Sequence, residues 1–278
     1  MSAVNVKTLR QFYDACHSTI PVRRALTEDV LRSRPPDADG VGHLHDVLDA
    51  LTAIPEEPAG RRLVVDDTRA VHVDLGYEIE ELRKDLLFLE EGDQALRDDF
   101  VRRHDDFDEQ VQAGLEALGG QPYQAFITDR DGTVNNYCGR YASSVQSTYN
   151  AVFLTRFARA GAATSVVLTS APLDNIGLAD LAVQPPGAVI VAGSKGREYF
   201  DAAGERRRYP IDAAQQGRLD ILNAELDRLL ERPGNEAFTL IGSGLQHKFG
   251  QTTIARQDIS GSVAADHSGR FLADIRDR

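Results

Sequence analysis

From residue 120 onward, short apolar runs alternate with longer segments of helical spacing. YQAFIT (123–128), TSVVLTS (164–170) and GAVIVAG (187–193) are the short runs, and VQSTYNAVFLTRFARAG (145–161) and GLADLAV (177–183) lie between them. Strand, helix, strand, helix, strand in that order leaves few topologies. Parallel strands need crossover connections, and helical crossovers cover the faces of a sheet. The second half of the chain is therefore expected to be α/β, with a parallel sheet. In such sheets ligands bind beyond the carboxyl ends of the strands. Asp129 and Asp131 follow the first strand, and Thr169 and Ser170 end the second. The two polar ends should meet at one edge.

Before residue 120 the pattern is mostly helical and acidic. Leu9, Phe12, Tyr13 and Cys16 keep helical spacing, as do Ile79, Leu82, Leu86 and Leu89. Phe107, Val111, Leu115 and Leu118 repeat it, and Gly119-Gly120 stops that helix. RSRPPDADGVG reads as a loop, and RRLVV (61–65) as a short strand. The charges of EELRKD and RDDFVRRHDDFDEQ read as solvated helix faces. After the third strand, IDAAQQGRLDILNAELDRLLER is a helix with Asp212 as N-cap and Leu219, Leu222, Leu226 and Leu229 on one face. EAFTLIG (236–242) and FGQTTIARQ (249–257) read as two strands, and RFLADIRDR begins a last helix. The expected division is a helical region over 1–120, the first part of an α/β core over 121–194 and a small inserted α/β unit over 195–278.

The net charge is −12 over 278 residues. An acidic chain repels nucleic-acid phosphates and anionic lipid heads, so neither is expected as a partner. The two cysteines, Cys16 and Cys138, cannot staple a secreted scaffold. The first residues lack the apolar core of a signal peptide, and no run reaches spanning length. A soluble, cytoplasmic protein is expected.

The chemistry concentrates in FITDRDGT. A carboxylate becomes a useful nucleophile when it is positioned and its charge balanced, and a divalent cation does both for phosphoryl transfer. A second carboxylate two residues on can protonate the leaving oxygen and then activate water. Gly132 and Thr133 let the backbone turn so that amides and a hydroxyl face an anion.

An apolar strand ending in Asp-x-Asp-Gly-Thr resembles the first signature of the haloacid-dehalogenase superfamily of phosphatases and phosphotransferases. The resemblance implies that Asp129 is the nucleophile, forming a phospho-aspartate, and Asp131 the general acid/base. It implies Mg²⁺ held by Asp129 and the Asp131 carbonyl. SVVLTS resembles the second signature, making Thr169 the phosphate-binding hydroxyl with Ser170 as runner-up. GSKGREYFDAAGERRRYPI and GLQHKFGQTTIARQ are similar to the turn and cap of sugar phosphatases such as trehalose-6-phosphate phosphatases and sucrose phosphatases. Gln246 stands where that family has glutamate, Lys248 at its lysine and Arg256 at its arginine. The resemblance implies that Glu198, Lys248 and Arg256 contact a phosphorylated sugar or its phosphate. Trehalose phosphatases carry Ser-Gly-Arg where this chain has Thr-Ser-Ala.

Two family elements are not found in the sequence: a lysine after the cap that balances the aspartate and phosphate charges, and a Gly-Asp-x-x-x-Asp loop that completes the metal site. The expectation is a chain that is part of a longer protein. The leading function is an Mg²⁺-dependent phosphomonoesterase acting on a phosphorylated sugar or similar small metabolite. A non-catalytic binding or regulatory module and a phosphomutase-like phosphotransferase are the alternatives.

Overall fold

A computed structural model describes residues 4–66, 69–120, 123–258 and 261–277. The expected boundary at 121 and the chain ends at 1 and 278 lie outside the described residues. Helices α1 (Leu9–Leu31) and α2 (Ala38–Thr52) lead into a small antiparallel sheet, β1 (Glu56–Glu57), β2 (Gly60–Asp66) and β3 (Arg69–Val73). Three helices follow: α3 (Gly76–Glu91), α4 (Asp93–Arg103) and α5 (Phe107–Leu118).

Local chemistry sets these ends. Thr8 and Gln11 form a capping box, the Gln11 N–H donating to Thr8 Oγ1 at 3.1 Å and the Thr8 N–H to Gln11 Oε1 at 3.1 Å. Asp37 accepts from the Gly40 N–H at 2.9 Å and starts α2 inside the segment read as a loop, so only residues 32–37 connect the two helices. Leu9, Phe12, Leu26, Leu44, Leu51 and Leu63 are sealed in one core.

The second half starts with β4 (Tyr123–Asp129), α6 (Thr148–Gly161) and β5 (Ala162–Leu168). It continues with α7 (Leu178–Leu181), β6 (Ile190–Gly193), β7 (Glu198–Phe200) and β8 (Arg206–Arg208). The sheet order is β4-β5-β6-β7-β8. The first three strands are parallel, with Asp129 beside Leu168 and Leu168 beside Ala192, so their carboxyl ends are level. The expected α/β sheet behind a helical region is present, parallel over its first three strands, with β7 and β8 added antiparallel at one edge. Tyr149 and Val152 of α6 complete the core of the first helices, so this cluster draws on both halves of the chain.

The remaining elements are α8 (Ala213–Leu230), α9 (Ala237–Leu240), the hairpin of β9 (Leu245–Lys248) and β10 (Gln251–Ile254), and α10 (Ala265–Arg276). Asp212 caps α8, accepting from the Gln215 N–H at 3.0 Å.

Four sequence expectations are corrected. Residues 236–242, read as a strand, hold the single turn α9. The neighbours Ala237 and Phe238 are both buried, and Phe238 stacks on Phe271 with centroids 3.7 Å apart. Successive residues of a strand would point to opposite faces. The strand lies instead at Leu245–Lys248. The charges of EELRKD are not all solvated: Glu81, Lys84 and Asp85 are buried. Each meets a buried partner, Glu81 pairing with Lys84, and Arg23 of α1 lying 2.7 Å from Asp85. The apolar stripe of α5 exists, but no residue of α5 is buried. On α8 only Leu226, Leu229 and Leu230 are buried, while Leu222 is exposed. Among the described residues no helix is long and apolar enough to cross a membrane.

Candidate active site

Asp129 is the last residue of β4, and the chain turns at once. The Arg130 N–H still pairs with the Leu168 carbonyl at 3.2 Å, extending the sheet by one step. The loop then closes on itself, the Asn135 N–H donating to Arg130 O at 2.9 Å and the Gly132 N–H to Asn135 O at 2.7 Å. Gly132 has φ of 84°, a left-handed value that a glycine adopts without strain. Gly132 and Thr133 are exposed on this turn.

The turn brings the Asp131 carboxylate over the end of β5. Thr169 Oγ1 donates to Asp131 Oδ2 at 3.1 Å, and Arg130 Nη1 lies 2.5 Å from Asp131 Oδ1. The Thr169 hydroxyl also accepts from the Ala171 N–H at 3.3 Å. Ser170 beside it is exposed. Asp129 is exposed as well, and among the described residues no donor or cation meets its carboxylate. The two carboxylates therefore differ: one is held at both oxygens and one is open.

A cleft of about 550 Å³ opens beside Asp131, and Asp129 lies outside its lining. Asp131, Thr169 and Ser170 form one wall, and Gln246, Lys248 and Thr253 of the β9–β10 hairpin form another. Alternation along β9 explains the choice. Gln246 and Lys248 share the inward face, while His247 turns away to Asp227 at 3.0 Å. Burial pushes the Lys248 ammonium below its ordinary range, and the charge of Lys195 adds to the shift.

Lys195 sits in a turn of three left-handed residues, with φ of 51° at Ser194, 59° at Lys195 and 80° at Gly196. Two of these carry side chains, a strain of the kind that gathers at working sites. Its N–H reaches Thr169 O at 3.0 Å, tying the turn to the same strand end.

Two residues expected at the substrate have other partners. Glu198 is 2% exposed and accepts from Ser194 Oγ at 2.8 Å, the Leu173 N–H at 3.3 Å and Arg206 Nη2 at 2.5 Å. Burial raises its carboxyl, but the hydrogen bonds from Arg206 and Ser194 outweigh burial and hold it below the usual range. It borders a second cleft of about 700 Å³, together with Arg206, Arg208 and Lys248. Lys248 is thus shared by both clefts. Arg256 is exposed and donates to Ser268 Oγ of α10 at 3.1 Å, while its neighbours Ala255 and Gln257 line the first cleft.

Sequence reasoning missed Arg130, which stands at the unspecified position between the two aspartates and carried no signal there. It also missed Asn135 and Ser144, whose side chains meet Arg130 or each other behind the turn.

The hard-oxygen donors at the strand end suit Mg²⁺, which takes one or two carboxylates and leaves its other positions to water and phosphate. The open Asp129 carboxylate beside the Asp131 backbone fits that role. No group of three acids, histidines or cysteines that could hold a metal forms among the described residues.

Comparison with known proteins places these features in a family context. Residues 126–278 match the family described as trehalose-6-phosphate phosphatase, C-terminal. Residues 8–107 match the trehalose-6-phosphate phosphatase N-terminal helical bundle domain. An α,α-trehalose-phosphate synthase [UDP-forming] 1 of Aphelenchoides avenae is 31% identical over 93% of this chain and 24% of its own length. A trehalose-phosphatase of Brugia malayi is 28% identical over 99% of this chain and 62% of its own length. A trehalose-phosphatase of Caenorhabditis elegans is 35% identical over 55% of this chain and 35% of its own length. The chain thus spans about a quarter of the length of the synthases it matches.

Proposed function

The chain belongs to the trehalose-6-phosphate phosphatase family, and on that premise we propose that it hydrolyses the phosphomonoester of a phosphorylated sugar, with trehalose 6-phosphate the first substrate to test. The observation that carries the proposal is the pairing of one open and one held carboxylate at a single strand end. Asp129 has no partner among the described residues, and Asp131, fixed at both oxygens, faces the cleft that Lys248 enters.

The Asp129 carboxylate attacks phosphorus, and the bond from phosphorus to the sugar oxygen breaks. Asp131 gives its proton to that departing oxygen. Asp131 then takes a proton from water, whose oxygen forms the new bond to phosphorus as the aspartyl-phosphate bond breaks. Thr169 spends its one O–H on Asp131, and Ser170 beside it on the cleft wall offers a hydroxyl to the phosphate. Lys248 brings a cation with no acidic partner among the described residues, which suits an anionic substrate. Mg²⁺, when held by Asp129 and the Asp131 carbonyl, would neutralise charge on the transferring phosphoryl group.

The test is phosphate release from trehalose 6-phosphate and a panel of sugar phosphates, with Mg²⁺ and with EDTA. The expected result is Mg²⁺-dependent release that Asp129→Asn abolishes. Undiminished turnover in Asp129→Asn sinks the mechanism.

A further inference from the structure

Arg130 follows the nucleophile and precedes the acid/base, yet its side chain points into the protein and is 3% exposed. A buried guanidinium needs partners for its donors. It finds them in the Asp131 carboxylate at 2.5 Å, in Ser144 Oγ at 3.0 Å and in the Ser144 carbonyl. The Tyr141 ring covers it, with the guanidinium carbon 5.7 Å from the ring centroid.

The chain of contacts does not stop at Ser144. The Asn135 amide donates to Ser144 Oγ at 3.2 Å and to the Tyr77 hydroxyl at 3.0 Å. Tyr77 is the second residue of α3 and belongs to the helical half. Burial raises its pKa and keeps the phenol neutral, so the group stays a fixed hydrogen-bonding partner. The start of α3 is itself clamped to the same loop, since Arg140 Nη2 lies 2.9 Å from both oxygens of Glu78 and both side chains are buried.

We propose that Arg130 is a positioning residue for Asp131, and that the N-terminal helices set its place through Tyr77 and Asn135. The inference rests on the reading of Asp131 as general acid/base. One oxygen of Asp131 is held by Arg130 and the other by Thr169, so the carboxyl plane is fixed toward the cleft. Arg130 takes no part in bond making. It determines where the proton of Asp131 stands when the sugar oxygen leaves.

This role has a signature that a structural role lacks. A sugar oxygen departs as a strongly basic alkoxide and needs the proton of Asp131. p-Nitrophenolate is a weak base and departs without it. Both substrates use the same Asp129 attack. A misplaced Asp131 therefore slows formation of the aspartyl-phosphate from a sugar phosphate and spares its formation from p-nitrophenyl phosphate.

The experiment compares the intact protein with Arg130→Met, Arg130→Lys and Tyr77→Phe. Rapid-quench and stopped-flow kinetics read the first chemical step with each substrate. Arg130→Met should slow that step roughly 10–100-fold with the sugar phosphate, a part of what positioned acid catalysis supplies. KM should stay within about twofold, because no substrate contact is lost. The p-nitrophenolate burst should keep its wild-type rate. Arg130→Lys should restore part of the loss, and Tyr77→Phe should show a several-fold loss with the same substrate selectivity. Circular dichroism and thermal unfolding check the fold, and if Arg130→Met does not fold, Arg130→Lys and Tyr77→Phe decide. Equal loss with both substrates, or unchanged rates in the folded variants, overturns the proposal. A wild-type protein that releases phosphate from no sugar phosphate and gives no burst overturns the phosphatase reading itself.

Discussion

Thr169 Oγ1 donates to Asp131 Oδ2 at 3.1 Å, joining the ends of two parallel strands through a single hydroxyl. The same oxygen accepts the Ala171 N–H, so its own position is fixed by the backbone that follows β5. Thr169→Val keeps the shape and removes both bonds. It should lower kcat about tenfold or more by releasing Asp131. The unpaired Ala171 N–H should cost about 1–3 kcal/mol of stability. Thr169→Ser should keep most of the turnover. Wild-type kcat in Thr169→Val would show that the hydroxyl holds nothing the reaction uses.

Lys248 has no carboxylate partner among the described residues, and burial with Lys195 nearby disfavours its charge. A site built this way is unfavourable until an anion arrives. Lys248→Met should leave the thermal midpoint of the free protein unchanged or raised; inorganic phosphate should raise the midpoint of the wild type and not that of the variant. KM for a phosphorylated sugar should rise about tenfold or more, the loss of one charge-assisted hydrogen bond. A Lys248→Met variant that binds phosphate and sugar phosphate as the wild type does would exclude the residue from the anion site.

Glu198 is tied to four neighbours, the Leu173 N–H, Ser194, Arg206 and Arg208, which points to a brace. Its carboxyl is held below the usual range, so its stabilising contribution is present above the ordinary pKa and is lost as pH falls through the lowered one. Glu198→Gln should cost about 1–3 kcal/mol near neutrality by weakening the hold on the buried groups around it. The cost should shrink in acid. KM should change less than for Lys248→Met, and a rise in KM with no loss of stability would make Glu198 a substrate contact.

The sequence was most legible where one residue's type decides the outcome locally. The apolar runs of β4 to β6 and the polar residues that end them needed no distant partner to be read. Asp212 and Gly119 marked helix ends by their own chemistry. What was not legible depended on groups far away in the chain. Glu81, Lys84 and Asp85 look like any charged helix face until Arg23, Asn136 and Tyr149 are brought against them. EAFTLIG is apolar enough for a strand or a helical turn, and the stack of Phe238 on Phe271 selected the turn. Arg130 stands in a position the motif leaves open, and only Ser144 and Tyr141, folded back over the turn, make it part of the site.

The pair formed by Arg23 and Asp85 yields a prediction about pH. Burial pushes the Asp85 carboxyl up from 3.8 to about 6, against the lowering charge of Arg23. The folded state therefore binds this proton more tightly than the unfolded state between about pH 4 and 6. Stability contributed at this site falls as pH rises across that window and levels off above it. Asp85→Asn does not titrate there. The unfolding free energy of the wild type, measured relative to Asp85→Asn by urea denaturation, should drop by up to about 3 kcal/mol from pH 4 to 7, two pKa units of differential binding. Arg23→Met removes the opposing charge, so the window should move to higher pH, and the variant should lose about 3–5 kcal/mol at neutrality. Parallel stability curves for the wild type and Asp85→Asn would mean that Asp85 titrates alike in the folded and unfolded chain.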